Sequence, residues 1–199
     1  MPRPASQGRA RSPVDDPADR LSAAGAYAAL GRVLPPDGVV VCESVSNMRD
    51  CQDQIRFGRP GGYYSPAGAS LGFGVPAAIG VQLAQPDRPV TAVVGDGALQ
   101  YALPALWTAA RYDVPVTVVV LRNDRYAVLE DYRDFLGLPE VPGLRVPGID
   151  TVALARAYGV AATRAAGGAE LAGALRDALA RTGPTLIEVP IGGAGEKHW

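Results

Sequence analysis

Apolar residues fall along this chain in short unbroken runs separated by stretches with helical spacing. Val39-Val40-Val41-Cys42, Val90 to Val94 and Val116 to Leu121 are apolar at nearly every position rather than at alternate ones. That pattern suits strands covered on both faces, as in a parallel sheet flanked by helices. Thr185 to Val189 is predicted to close the sheet near the end of the chain, with a short strand around Val160 to Thr163. The first helix is predicted over Leu21 to Leu34, stopped by the breaker cluster Pro35-Pro36-Asp37-Gly38. Further helices are predicted over Ala69 to Gln85, Leu103 to Arg111, Tyr126 to Leu136, Thr151 to Tyr158 and Ala169 to Arg181. Gly61 through Gly68 reads as turns. Gly137 to Asp150, with its prolines and glycines, reads as a loop able to cover a site or meet another subunit.

Strands alternating with helices imply right-handed crossovers and an α/β fold, a doubly wound, mostly parallel sheet with helices on both faces. Ligands of such sheets sit beyond the C-terminal strand ends. With 199 residues the chain can form one core that buries roughly 70% of its unfolded surface. One domain is therefore expected over 21–190. Residues 1–20 are rich in Pro, Arg and Ser without an apolar run, so they are read as a disordered polar arm, and 191–199 as a flexible tail.

Composition removes several functional classes. A net charge of −1 with no sustained basic face argues against nucleic acid and anionic lipid partners. No apolar stretch approaches the roughly 20 residues of a membrane span, and Pro2, Pro4 and Pro13 oppose an amphipathic targeting helix, so a cytoplasmic location is expected. The only histidine is His198 and the only lysine Lys197, which leaves the folded body without the residues of a Ser-His-Asp hydrolase, a His-ligated zinc site or a Schiff-base lysine enzyme. Cys42 and Cys51 lack metal-ligand spacing and read as reduced structural thiols.

Two strand ends carry the candidate chemistry. Val90 to Val94 runs into Gly95-Asp96-Gly97, and Val116 to Leu121 runs into Asn123, with a helix between them. Magnesium prefers octahedral oxygen coordination and is usually held by few protein groups together with phosphate oxygens. Asp96 offers a carboxylate, Asn123 a side-chain carbonyl and Arg125 a backbone carbonyl, and two diphosphate oxygens and a water would complete the shell. Gly95 and Gly97 permit close backbone approach, and the amides after Asp96 can face the diphosphate as a helix begins. Glu43 lies at the same sheet edge.

The segment Gly95-Asp96-Gly97 followed by Asn123 resembles the thiamine diphosphate motif. The stretches GGYYSPAGASLGFGVPAAIGVQLAQPDRPV, ALWTAARYDVP and VPGLRVPGID are similar to the C-terminal domain of the thiamine diphosphate-dependent 2-oxo acid decarboxylase and acetolactate synthase family, the benzoylformate decarboxylase type in particular. The resemblance covers roughly Asp37 to Pro190. It implies thiamine diphosphate and Mg2+ as cofactors, with Asp96, Asn123 and the Arg125 carbonyl as metal ligands and the Gly97 and Ala98 amides facing the diphosphate. It further implies that Leu71 props the cofactor into its bent shape, that the backbone at Ala69 accepts a hydrogen bond from the aminopyrimidine, and that Val45 lines the cofactor pocket. Val128, Leu129 and Tyr132 fall where the family lines its substrate pocket, although all three are also consistent with core helix positions.

Some positions depart from the family pattern. Arg122 replaces an asparagine common before the metal-binding one, and Asp124-Arg125 replaces a small Gly-Thr-like pair, which adds charge beside the diphosphate. Ser65 and Val45 differ from the benzoylformate decarboxylase type and weaken any inference of an aromatic substrate. The family's pyrimidine-activating glutamate lies in a separate N-terminal domain, and by position Glu43 is not that glutamate.

The expected function is therefore the thiamine diphosphate-binding half of a 2-oxo acid decarboxylase or carboligase, inactive until a pyrimidine-binding domain or subunit completes it in a homo- or hetero-oligomer. The beginning at Met1 with a polar arm favours a separate subunit over a fragment. Two other readings compete: a catalytically inactive interaction subunit with the same fold, and a nucleotide-binding dehydrogenase domain suggested by the loose fingerprint Gly72-Phe73-Gly74-Val75-Pro76-Ala77. Against the latter, no good strand precedes that fingerprint.

Overall fold

The computed structural model of the chain describes residues 21–68 and 70–192. The expected arm over 1–20, Ala69 and most of the expected tail lie outside the described residues. Six strands form one sheet: β1 (Val39–Glu43), β2 (Tyr63–Tyr64), β3 (Val90–Gly95), β4 (Thr117–Arg122), β5 (Ala161–Arg164) and β6 (Thr185–Pro190). Their order is β2-β1-β3-β4-β6-β5, and every pairing is parallel. All five residues of β1 are buried, as are the first five of β3, β4 and β6, which is why their runs are mostly apolar rather than alternating; the exceptions, Glu43, Thr91, Thr117, Thr185 and Glu188, are themselves buried.

Among the described residues eight α-helices flank the sheet: α1 (Ala23–Gly31), α2 (Met48–Gln54), α3 (Gly74–Ala84), α4 (Asp96–Gln100), α5 (Pro104–Arg111), α6 (Ala127–Phe135), α7 (Thr151–Ala157) and α8 (Gly168–Leu179), with a 3-10 turn at Val45–Asn47. One face of the sheet, with Cys42, Val93, Val119 and Ile187, packs against Tyr27 and Leu30 of α1, Cys51 of α2, and Leu171 and Leu175 of α8. The opposite face, with Val41, Val94, Val120 and Leu186, packs against Val75 and Ile79 of α3, Leu106 of α5 and Ala155 of α7. Burial on both faces is the doubly wound α/β arrangement.

Several boundaries differ from the sequence reading for local physical reasons. α1 begins only after Ser22, whose hydroxyl accepts the Gly25 amide at 3.0 Å as an N-cap, and it closes at Gly31, before the apolar pattern ends. α3 starts at Gly74 rather than Ala69, because the amides of Gly72, Phe73 and Gly74 turn toward Glu43. Ile191 is buried and bridges Leu21 in parallel, so at Ile191 the chain still packs into the body.

The loop after α6 is tied to the turn after β4. Val146 donates its amide to the Asp124 carbonyl at 2.9 Å, and Tyr126 donates to the Leu144 carbonyl at 2.8 Å. These two bonds frame the antiparallel bridge between Arg125 and Arg145.

Candidate functional site

The C-terminal ends of β1, β3 and β4 converge on one cavity of about 130 Å³. Its floor is built from Gly95, Asp96, Gly97 and Ala98 after β3, and from Asn123 and Arg125 after β4. Val45 and Leu71 form one wall, and Val128 and Leu129 of α6 another. Ten of the twelve residues singled out in the sequence thus share a single cavity. Tyr132 is not in its wall: it lies one helical turn beyond Val128 and is 46% exposed, because α6 leads away from the sheet edge. Ala69 lies outside the described residues.

Two strand ends are joined at the cavity floor. Asp96 opens α4 and is only 3% exposed, and its Oδ2 accepts the backbone amide of Asp124 at 2.8 Å. That bond fixes the carboxylate of one strand end against the turn of the other. Burial pushes the Asp96 carboxyl above the usual carboxylate range, and hydrogen bonds from the backbone at Asp124, Gly97 and Asn123 pull it partly back. Within the turn, Asn123 Oδ1 accepts the Arg125 amide at 3.2 Å, and Asp124 takes the left-handed conformation with φ of 58°. Asp and Asn tolerate that region better than most residues.

Gly97 is required here by close packing. A β-carbon on it would sit 2.5 Å from Cε1 of Tyr126, whose ring closes the floor of the cavity from the β4 side. A β-carbon on Gly95 would meet open space. The sequence named Gly97 for ligand approach alone; Tyr126, its partner, was read only as the start of a helix.

Glu43 holds the neighbouring corner. Its carboxylate, 1% exposed, accepts the amides of Gly72 at 2.5 Å, Phe73 at 3.1 Å and Gly74 at 2.6 Å. A β-carbon on Gly74 would fall 2.8 Å from Glu43 Oε2 and 2.7 Å from Val94 Cγ1. The two glycines of the Gly72-Phe73-Gly74 run therefore serve a carboxylate of the chain itself, and no continuous strand leads into them. This removes the structural basis of a dinucleotide fingerprint. Beside Glu43, Tyr27 hydrogen-bonds to Ser44 and lies 3.4 Å from the Cys42 sulfur. Both cysteines are buried and free.

The added charges of the β4 turn are internally partnered. Arg122 Nε lies 2.8 Å from Asp124 Oδ1, and another nitrogen of the same guanidinium lies 3.3 Å from Glu188 Oε1. Arg125 pairs with Glu130 at 3.1 Å, and Arg145 approaches that carboxylate at 3.5 Å.

The donor set fits a diphosphate held through a divalent cation. Among the described residues no group of three His, Cys, Asp or Glu could hold a metal by itself. A cation at this edge would draw on one buried carboxylate, an amide oxygen and backbone oxygens, with the ligand's own phosphates completing the shell, which is how magnesium is usually bound. The open space in front of Gly95 lies beside that carboxylate.

Fold and cavity first define a class: a doubly wound α/β domain whose ligand cavity sits at the C-terminal sheet edge. Within that class the chain belongs to the thiamine pyrophosphate enzyme family, whose C-terminal TPP binding domain matches residues 46–189. Benzoylformate decarboxylase of Pseudomonas aeruginosa is 46% identical over 161 residues, covering 81% of this chain and 30% of that protein. A putative acetolactate synthase large subunit of Mycobacterium tuberculosis is 34% identical over 184 residues, covering 88% of this chain and 36% of that protein. Among solved structures, a thiamine diphosphate-dependent 4-hydroxybenzoylformate decarboxylase of Rhodococcus jostii superposes with a TM-score of 0.89 at 41% identity, covering 93% of this chain and 35% of that chain. The chain thus spans about a third of the length of these relatives.

Proposed function

We propose that the chain is the magnesium-dependent thiamine diphosphate-binding half of a 2-oxo acid decarboxylase of the benzoylformate decarboxylase type, completed by a pyrimidine-binding domain or subunit. The observation that carries this reading is the bond from the Asp124 amide to Asp96, which brings the carboxylate after β3 and the amide oxygen after β4 to one cavity floor. Asp96, Asn123 and the Arg125 carbonyl would hold the cation. The Gly97 and Ala98 amides would face the diphosphate, Leu71 and Val45 would bracket the cofactor, the backbone at Ala69 would meet its aminopyrimidine, and Val128 and Leu129 would border the 2-oxo acid, with Tyr132 farther out on the same helix. When bound, thiamine diphosphate supplies the reactive carbon at which the 2-oxo acid loses CO2, and the protein supplies binding, orientation and proton transfer.

Three features support a site shared with a partner. The cavity, at about 130 Å³, is smaller than the roughly 300 Å³ at which ligand pockets begin. The acids in its wall are Glu43 and Asp96, the first committed to three backbone amides and the second to the Asp124 amide and the proposed cation. An acid that exchanges protons with the cofactor's ring would then come from elsewhere. Finally, Tyr132, Phe135, Leu136 and Leu138, at and beyond the end of α6, are each 46% exposed or more, beside the wall formed by Leu129. Contiguous apolar exposure of this kind marks interaction surfaces.

Titration calorimetry of the full chain with thiamine diphosphate tests the assignment. Binding is expected only with Mg2+, and Asp96→Ala is expected to weaken it by more than about 100-fold. Undiminished binding by the folded variant would remove Asp96 from the metal site. A folded wild-type chain that binds no thiamine diphosphate would instead favour the inactive interaction subunit.

A further inference from the structure

Resting on the thiamine diphosphate reading, we propose that Arg122 is a positioning residue for the metal-binding turn, one that draws the Asp124 carboxylate off the diphosphate edge. Asp124 adjoins both proposed side-chain ligands: it follows Asn123 directly, and its own amide is bonded to Asp96. An uncompensated carboxylate at that place would repel the ligand's phosphates and crowd a second negative charge toward Asp96. Arg122 removes both problems. Its Nε donates to Asp124 Oδ1 at 2.8 Å while a second nitrogen reaches Glu188 Oε1 at 3.3 Å, so the guanidinium joins a carboxylate of the turn after β4 to one within β6.

The anchor of this arrangement is buried. Glu188 is fully buried in β6 and also receives Arg164 Nε at 2.5 Å and the hydroxyl of Thr151, the first residue of α7. The register explains the row: Arg164 of β5 lies directly opposite Glu188, and Val120 opposite Glu188 places Arg122 two positions further along β4 on the same face. Asp124, Arg122, Glu188 and Arg164 thus alternate in sign and sum to zero. The two departures from the family pattern at 122 and 124 are each other's partners, and the strained φ of Asp124 is held by this ion pair on one side and by the Val146 amide on the other.

A double-mutant cycle at 122 and 124 tests the proposal, with Mg2+ and thiamine diphosphate as the probe, the full chain as the protein and dissociation constants as the readout. Arg122→Gln is expected to weaken binding about tenfold, the scale of one like charge freed at a partly solvated site. With Asp124→Gly as the background, Arg122→Gln is expected to change affinity by less than about threefold, so that the loss seen in the presence of Asp124 disappears. Should Arg122→Gln not fold, Arg122→Lys replaces it. A lone ammonium cannot hold Nε-type and terminal contacts to both carboxylates at once, and an intermediate loss rescued by Asp124→Gly is expected.

Disappearance of the loss once Asp124 is removed is the outcome that a purely structural role for Arg122 would not produce. Unchanged affinity in the Arg122 variant, or an equal loss from Arg122→Gln in the Asp124→Gly background, overturns the proposal while leaving the cofactor reading intact. A wild-type chain that binds no thiamine diphosphate with Mg2+ overturns both.

Discussion

At the scale of single residues, the site is organised around a carboxylate that burial makes costly. Asp96 is 3% exposed, and burial raises its pKa above the unfolded value of 3.8 against the pull of backbone donors. A carboxyl with a raised folded pKa binds its proton more tightly in the folded state. Its unfavourable contribution is therefore absent below the ordinary carboxylate range and grows as pH rises through the folded pKa. Asp96→Asn is accordingly expected to raise the unfolding midpoint of the metal-free chain at pH 7 by about 2–4 °C, the shift that about 1 kcal/mol produces in a domain of this size. The gain should vanish below about pH 4. Melting curves in chelator at the two pH values check this, and a lower midpoint for the variant at pH 7 would contradict it. Asp96 and Asn123 were legible as oxygen donors placed after two buried strands, whereas Val45, Leu71, Val128 and Leu129 were legible only through the family resemblance, because apolar wall positions carry no local signal of their own. The Arg122 to Glu188 contact was not legible, because it depends on the pairing of β4 with β6 across 66 positions, a register that no local pattern encodes.

At the scale of elements, Glu43 shows how a strand end sets a helix start. Three amides ahead of and within the first turn of α3 point at its carboxylate, so the orphan donors of a helix lacking a side-chain N-cap find their acceptor on another element. Replacing Glu43 by Gln leaves one acceptor oxygen and turns an amide donor toward a backbone N–H. A loss of about 2–3 kcal/mol is expected, read as a lower urea midpoint with an unchanged slope; an unaltered midpoint would show that α3 does not depend on this acceptor. The same logic explains which elements the sequence displayed. The long apolar strands were visible because both their faces are covered. The two residues of β2 have no run to display, and Met48–Gln54, forming α2, is polar apart from Met48 and Cys51, so its helix follows from packing against α1 and the sheet. Likewise, α3 was predicted five residues early because small apolar residues continue through the turn that feeds Glu43.

At the scale of the whole molecule, the sheet order places β1, β3 and β4 side by side, so their C-terminal ends supply the wall, the carboxylate and the amide oxygen of one cavity. The charged row on β4, β6 and β5 braces that edge from one side, and the loop paired with the turn at Asp124 braces it from the other. The exposed apolar end of α6 and the small cavity fit a domain that grips the diphosphate end of its cofactor and leaves the remainder to a partner. The proposed grip acts through the diphosphate and a divalent cation. The most direct measurement is the thermal unfolding midpoint of the full chain with thiamine diphosphate or with thiamine, each in Mg2+ or in chelator. Thiamine diphosphate with Mg2+ at about 100 times the dissociation constant is expected to raise the midpoint by about 5–10 °C, and the other three conditions are expected to leave it unchanged. An equal rise with thiamine, or with thiamine diphosphate in chelator, would contradict the account.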